Sequence, residues 1–163
     1  MEFVQRSILS ASEKLAVFHL WNNEYPEKLA YDSMQEFDAY LSELRDPSHL
    51  LLVDSAGKVR GWYFDFIRDQ EKWFAIILDA QLQGKGYGSQ LLERAKQYEK
   101  ELNGWVIDHN NDKKRNGEFY QSPLNFYLKN GFRKLKEDRL ELNKISAVKI
   151  KWVKQAAASP DKQ

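Results

Sequence analysis

Apolar residues in this 163-residue chain recur in some stretches every three or four positions, and in others at alternate positions or in short unbroken runs. Glu2 to Leu9 reads as a short strand, with Ser10 or Ser12 placed to cap a following helix. Between Glu13 and Tyr25, Leu15, Phe18, Leu20 and Trp21 fall at helical spacing, and Pro26 marks the exit. Met34, Phe37, Leu41 and Leu44 form one stripe of a second helix from Ser33 to Arg45, where Ser33 and Glu36 have capping-box spacing. The pattern then changes. His49 to Asp54 is an apolar run, Ser55 to Lys58 a hairpin turn around Gly57, and Val59 to Arg68 the next strand. Asp69 to Lys72 is a polar turn into Trp73 to Leu78, whose Phe74–Leu78 stretch is apolar on both faces. Three strands joined by short turns predict an antiparallel meander.

After Asp79 a glycine-rich segment, Gln81 to Gly88, leads into a helix with Leu91, Leu92, Ala95 and Tyr98 as its buried stripe. Asn103-Gly104 is the expected stop of that helix, and Trp105 to Ile107 a short strand after it. Asn110 to Gly117 is polar and reads as a loop. Ser122-Pro123 then opens a short helix that Asn130-Gly131 closes. Phe132 to Leu142 and Ile145 to Val153 form a terminal strand pair, and Gln155 to Gln163 reads as a frayed tail. The expectation is one mixed α/β (α+β) domain over residues 1–154, with an antiparallel first half, one strand–helix–strand crossover, and a flexible tail at 155–163.

Composition acts mainly by exclusion. With 42% hydrophobic and 30% charged residues the chain has the makings of a folded domain. A net charge of +1 offers no basic surface for nucleic acid or an anionic membrane. No apolar run approaches the roughly 20 residues of a membrane span, and the first residues lack signal-peptide character; a cytoplasmic protein is expected. The absence of cysteine removes disulfides, thiolate zinc sites and a cysteine nucleophile, and no metal site is expected. Aromatic residues reach 13%, enough to fill a core and also line a cleft.

Chemistry becomes legible at Gln83-Gly84-Lys85-Gly86-Tyr87-Gly88-Ser89, between an apolar strand and an amphipathic helix. Alternate glycines permit a tight turn and leave backbone N–H groups uncovered. Together with the positive end of the helix they make an anion site suited to a pyrophosphate, and Lys85 adds a mobile charge. The dinucleotide fingerprint has a different glycine spacing, and a P-loop needs Ser or Thr where Gly86 stands.

The stretch Leu78 to Leu92 resembles the acyl-CoA signature of the GNAT acetyltransferases, with Gln83, Gly86 and Gly88 at its fixed positions. A second element of that family, a Phe-Tyr pair followed by Gly-Phe, is matched by Phe126-Tyr127 and Gly131-Phe132. The resemblance implies a sheet flanked by helices and splayed between its fourth and fifth strands, with acetyl-CoA as donor. It implies direct attack by a primary amine, on a small molecule or as an exposed amino group, through a tetrahedral intermediate. Tyr127 would be the general acid and the Leu78 N–H the oxyanion donor, and the cofactor would contact Ile76, Leu78, Gly84, Lys85, Tyr87, Ser89 and Tyr127 besides the signature residues. Trp21, Tyr25, Tyr31, Trp62 and Asp65 are the candidate acceptor pocket, aromatics beside acidic groups suiting an ammonium. Asp79, Glu71, Asp65 and His109 are alternative general bases. The family's usual Asn is replaced by Tyr120, which leaves Asn110, Asn111 or Asn116 as substitutes. Pairing of the last strands into a homodimer is a family habit, and a non-catalytic sensor of CoA or acyl-CoA is the rival reading.

Overall fold

The computed structural model describes residues 1–156, so most of the expected tail at 155–163 lies outside the described residues. After β1 (Glu2–Arg6), Ser10 starts α1 (Ala11–Glu24) through a complete capping box, accepting from Glu13 N at 3.2 Å while its own N–H donates to the Glu13 carboxylate at 2.9 Å. α2 (Met34–Ser42) has only the serine arm of that motif, Ser33 Oγ accepting from Glu36 N. The meander follows as β2 (Arg45–Val53), β3 (Val59–Arg68) and β4 (Glu71–Leu78). Then come α3 (Tyr87–Tyr98), β5 (Glu101–Ile107), α4 (Leu124–Lys129), β6 (Arg133–Leu142) and β7 (Ile145–Val153). Single 3-10 turns at Glu27–Leu29 and Ala80–Leu82 complete the order.

The seven strands form one sheet in the order β1-β2-β3-β4-β5-β7-β6, antiparallel except where β4 meets β5. That parallel contact consists of one pair, Trp73 with Asn103. β4 is paired to β3 along its whole length, and β5 likewise to β7, so beyond Trp73 the two central strands part. Gly104 sits at the parting point: a Cβ there would stand 3.0 Å from the Phe74 ring. The splay expected between the fourth and fifth strands is present, with Phe74 wedged at its base.

Side chains alternate across the strands and give the sheet two differently built faces. Leu51, Trp62, Phe64, Trp73 and Ile77 face α1 and α2, where Val17, Leu20 and Phe37 cover them. Leu50, Tyr63, Phe74, Val106 and Ile150 face α3 and α4, against Leu91, Leu92, Ala95 and Tyr127.

Several expectations need correction. α3 stops at Tyr98, and Asn103-Gly104 lies buried inside β5; the Asn-Gly pair serves the strand, its glycine making room for Phe74. Tyr98 is 82% exposed, outside the apolar stripe. Leu15 is also exposed, and α1 instead buries Val17, Leu20 and Asn22. Asn22 is tolerated there because both ends of its amide are bonded to the Tyr31 backbone. α2 ends at Ser42 because the chain turns at Asp46, φ 48°, in a β2 that starts earlier than the apolar run.

The polar stretch after β5 is a loop, as expected, but a structured one. Lys113 bridges to Phe119, and Glu27 N donates to Lys113 O at 2.8 Å. Ion pairs Lys114–Glu24 at 3.0 Å and Lys28–Asp112 at 2.8 Å clasp it to the end of α1 and the turn beyond. Among the described residues no helix is long and apolar enough to cross a membrane.

Candidate active site

The open edge of β4 and the first turn of α3 come together at the C-terminal end of the splay. Asp79 N donates to Arg60 O at 2.8 Å, extending the β3 ladder. Because successive residues of a strand turn their N–H and C=O groups to opposite sides, those of Ile76 and Leu78 are directed to the side where β5 has moved away. The Leu78 carbonyl accepts from Gln83 Nε2 at 3.1 Å, so the signature glutamine ties the loop to the strand end.

Each glycine of the loop has a distinct reason to be there. Gly84 (φ 76°) and Gly86 (φ 86°) are left-handed with open space around them, a conformation that costs other residues roughly 1–2 kcal/mol. Gly88 is required by packing, since a Cβ would come within 2.9 Å of Phe126 Cζ. Gly86 occupies the N-cap of α3 without a side chain to cap it. No backbone acceptor among the described residues takes the N–H groups of Tyr87, Gly88 and Ser89, and four such donors are left over at any helix start. Exposed Lys85 stands beside them. Donors without acceptors at a positive helix end, uncovered by Cβ atoms, fit a diphosphate.

Tyr127 lies behind this loop, buried on α4, with its ring edge-on to Phe74 at 5.7 Å and to Phe126 at 5.0 Å. Burial, and secondarily the phenol of Tyr120, pushes its pKa above the ordinary tyrosine value, so it holds its proton. Tyr25, at the end of α1, packs edge-on to Tyr120 at 6.3 Å. Its pKa is also raised by burial, with further contributions from Tyr120 and Tyr127. Three protonated phenols from α1, the loop and α4 thus share one region. Tyr120, which stands where the family pattern has Asn, brings a half-buried phenol to this region.

The candidate acceptor residues do not form one group. Trp21, Tyr25 and Tyr31 do meet, with Trp21 at 4.7 Å from Tyr25 and 5.4 Å from Tyr31. Trp62 lies deeper, fully buried behind Phe37, its Nε1 donating to His49 Nδ1 at 3.1 Å. Asp65 is on the opposite face of the sheet, bonded to Tyr63 at 2.6 Å.

The other candidates are mostly engaged. Asp79 takes Arg60 Nε at 3.0 Å and caps the 3-10 turn through Gln81 N. Glu71 is held by Lys149 and Lys151, whose hydrogen bonds lower its pKa. His109 Nδ1 accepts from Asn111 N at 3.1 Å. Asn110 and Asn116 spend their side-chain oxygens on Ser122 N and Glu118 N inside the loop.

A splayed mixed sheet with an anion loop at the head of its third helix defines a class: enzymes that hold an acyl-CoA across the gap. The chain belongs to the acetyltransferase (GNAT) domain family, whose pattern matches residues 46–134, and it is an acetyl-CoA-dependent acyltransferase. Solved structures share the fold. An aminoglycoside 6'-N-acetyltransferase complexed with coenzyme A superposes with TM-score 0.71 at 11% identity, over 98% of this chain and 100% of that one. An acyl-CoA N-acyltransferase from Pseudomonas aeruginosa gives 0.68 at 14% identity, over 94% and 100%. A spermidine/spermine N-acetyltransferase from Vibrio cholerae gives 0.62 at 17% identity, over 93% and 92%. Comparison with curated proteins finds no significant match.

Proposed function

We propose that the protein acetylates a primary amine, carried by a small molecule or exposed on a larger one, by direct attack on the acetyl thioester. The observation that carries this reading is the juxtaposition of unaccepted amides at the start of α3 with the unpaired edge of β4. Structural neighbours that act on aminoglycosides and on spermidine support an amine as acceptor. Acetyl-CoA supplies an acetyl group activated as a thioester.

The chain's own residues divide the remaining work. The backbone from Gly84 to Ser89 and the Lys85 ammonium hold phosphate charge. The Ile76 backbone pairs with the extended arm of the cofactor. The Leu78 N–H donates to the acetyl oxygen as negative charge grows there. Tyr127, neutral by burial, donates its proton to the departing thiolate. Trp21, Tyr25 and Tyr31 form the acceptor side, with Trp62 as their support rather than a contact. Asp65 belongs elsewhere, and with Asp79 and Glu71 already paired, water carries the amine's proton away.

A thiol-release assay over amines, aminoglycosides, amino acids and peptides tests this. Release with at least one amine, lost in Tyr127→Phe while acetyl-CoA binding stays unchanged, is the expected result. Tight CoA binding with no transfer to any amine would replace the enzyme reading with a CoA sensor.

A further inference from the structure

α3 has 12 residues, so its far end lies roughly 18 Å from the glycine loop at 1.5 Å per residue. There the sheet layer beneath it turns polar. Gln5, Ser48 and Asp65 replace the apolar side chains that fill the same face nearer the splay. With Phe3 and Arg94 they line a cavity of about 510 Å³ between β1–β3 and the helix, within the usual range for small-molecule sites.

The hydrogen-bond inventory of this cavity is incomplete. Gln5 Nε2 donates to Ser48 Oγ at 2.6 Å, and the Tyr63 hydroxyl to Asp65 Oδ2 at 2.6 Å. Asp65 Oδ1 has no hydrogen bond, although the residue is only 3% exposed. The nearest cation, Lys72 Nζ, stands 3.7 Å away and lies closer to Glu99, at 3.3 Å. A buried acceptor without a hydrogen bond is costly, and the Lys72 ammonium meets Oδ1 only as a long ion pair. At the cavity mouth the Arg94 guanidinium lies 4.0 Å from the Phe3 ring centroid. Arg94 pairs with no carboxylate among the described residues.

The charges around the cavity decide what fits. Asp65, Glu99 and Arg94 line it, Lys72 sits against both carboxylates, and the four charges cancel. A simple cation would gain Asp65 but meet two positive groups; a simple anion would gain Arg94 but meet two negative ones. A molecule bearing both charges matches each.

We propose that this cavity binds a small zwitterion of the amino-acid class, its ammonium donating to Asp65 Oδ1 and its carboxylate meeting Arg94. The proposal shares no residue with the glycine loop or Tyr127 and stands apart from the acetyl-transfer reading.

The test is titration of ¹⁵N-labelled protein with L-alanine, L-leucine and 4-aminobutyrate, against butylamine and butyrate as singly charged counterparts. At least one zwitterion is expected to shift the amides of Ser48, Asp65 and residues 94–99. Its binding should be about tenfold tighter than that of either singly charged probe, as loss of one charge-assisted hydrogen bond implies. Asp65→Asn, which keeps an oxygen for Tyr63, and Arg94→Gln should each weaken it about tenfold. Acetyl-CoA affinity should be unchanged in both variants, so failure of CoA to bind the unaltered chain counts against the proposed function alone. No shift from any zwitterion at tens of millimolar would overturn the proposal. So would equal binding of butylamine, or shifts confined to Tyr25, Tyr120 and Tyr127.

Discussion

The two faces of the central sheet differ in how they are filled and in what they leave open. Toward α1 and α2 the buried amide and imidazole are matched, Asn22 bonding the Tyr31 backbone at both ends and His49 accepting from Trp62, while at the β4–β5 junction Trp73 Nε1 and Asn103 Oδ1 lack partners. Toward α3 and α4, donors and acceptors are left over: the α3 amides, the inner edge of β4, Asp65 Oδ1. The first face is a packed aromatic layer, where Phe37 touches the rings of Phe18, Trp21, Tyr31 and Trp62. Buried polar groups cost free energy unless paired, and the unaccepted amides at the head of α3 together with the open edge of β4 mark where a ligand completes the structure. Stability and function should therefore separate by face.

The largest effect should come from the packed face. Phe37→Ala removes a fully buried ring and is expected to lower unfolding free energy in urea by about 3–5 kcal/mol, with acetyl-CoA affinity of the folded fraction unchanged. A large loss of affinity there would erase the contrast between the faces.

His49 gives the same face a pH dependence. Burial lowers its pKa from 6.5 to about 4, so between these values the unfolded chain binds the proton and the folded one does not. Its contribution is intact above pH 6.5 and is lost as pH falls toward 4. Denaturation series across that window should show up to roughly 3 kcal/mol of loss from this group. His49→Gln should flatten the slope.

On the other face, Tyr127→Phe should slow turnover by about 100-fold or more, near 2.7 kcal/mol, with melting temperature nearly unchanged. A rate close to that of the unaltered enzyme would demote the phenol to a packing group. Gly86→Val places a β-branched residue at φ 86° and should cost about 1–2 kcal/mol, along with a measurable fall in CoA affinity by calorimetry. The smallest effect is expected at the margin of both faces: Ser10→Ala breaks the α1 capping box for about 1 kcal/mol of stability, with no effect on CoA.

Local signals that the chain satisfies locally were legible. The Ser10 cap, the meander and the glycine loop each depend on residues within a few positions of one another. The Asn103-Gly104 pair misled because its purpose is long-range: a glycine inside β5 is dictated by Phe74, some thirty residues earlier, and nothing near position 104 reveals that. Leu15 fitted the apolar spacing of α1, yet the helix is rotated so that Asn22 is buried instead, and the Tyr31 backbone that satisfies it is on the next segment. The separation of Trp62 from Asp65 was readable in principle, since residues three apart on a strand point to opposite faces. The partnership of Tyr25, Tyr120 and Tyr127 depends on the clasped loop after β5, which no periodicity announces.

One ladder rung, Trp73 to Asn103, joins β1–β4 to the β5–β7–β6 half. In backbone terms the sheet is two leaves on a single stitch, held otherwise by side chains such as Glu71 with Lys149 and Lys151, and anything that spans the gap becomes a second seam. Hydrogen exchange at Ile76 and Leu78 should therefore slow on cofactor binding far more than exchange at Ile77, whose amide already faces β3.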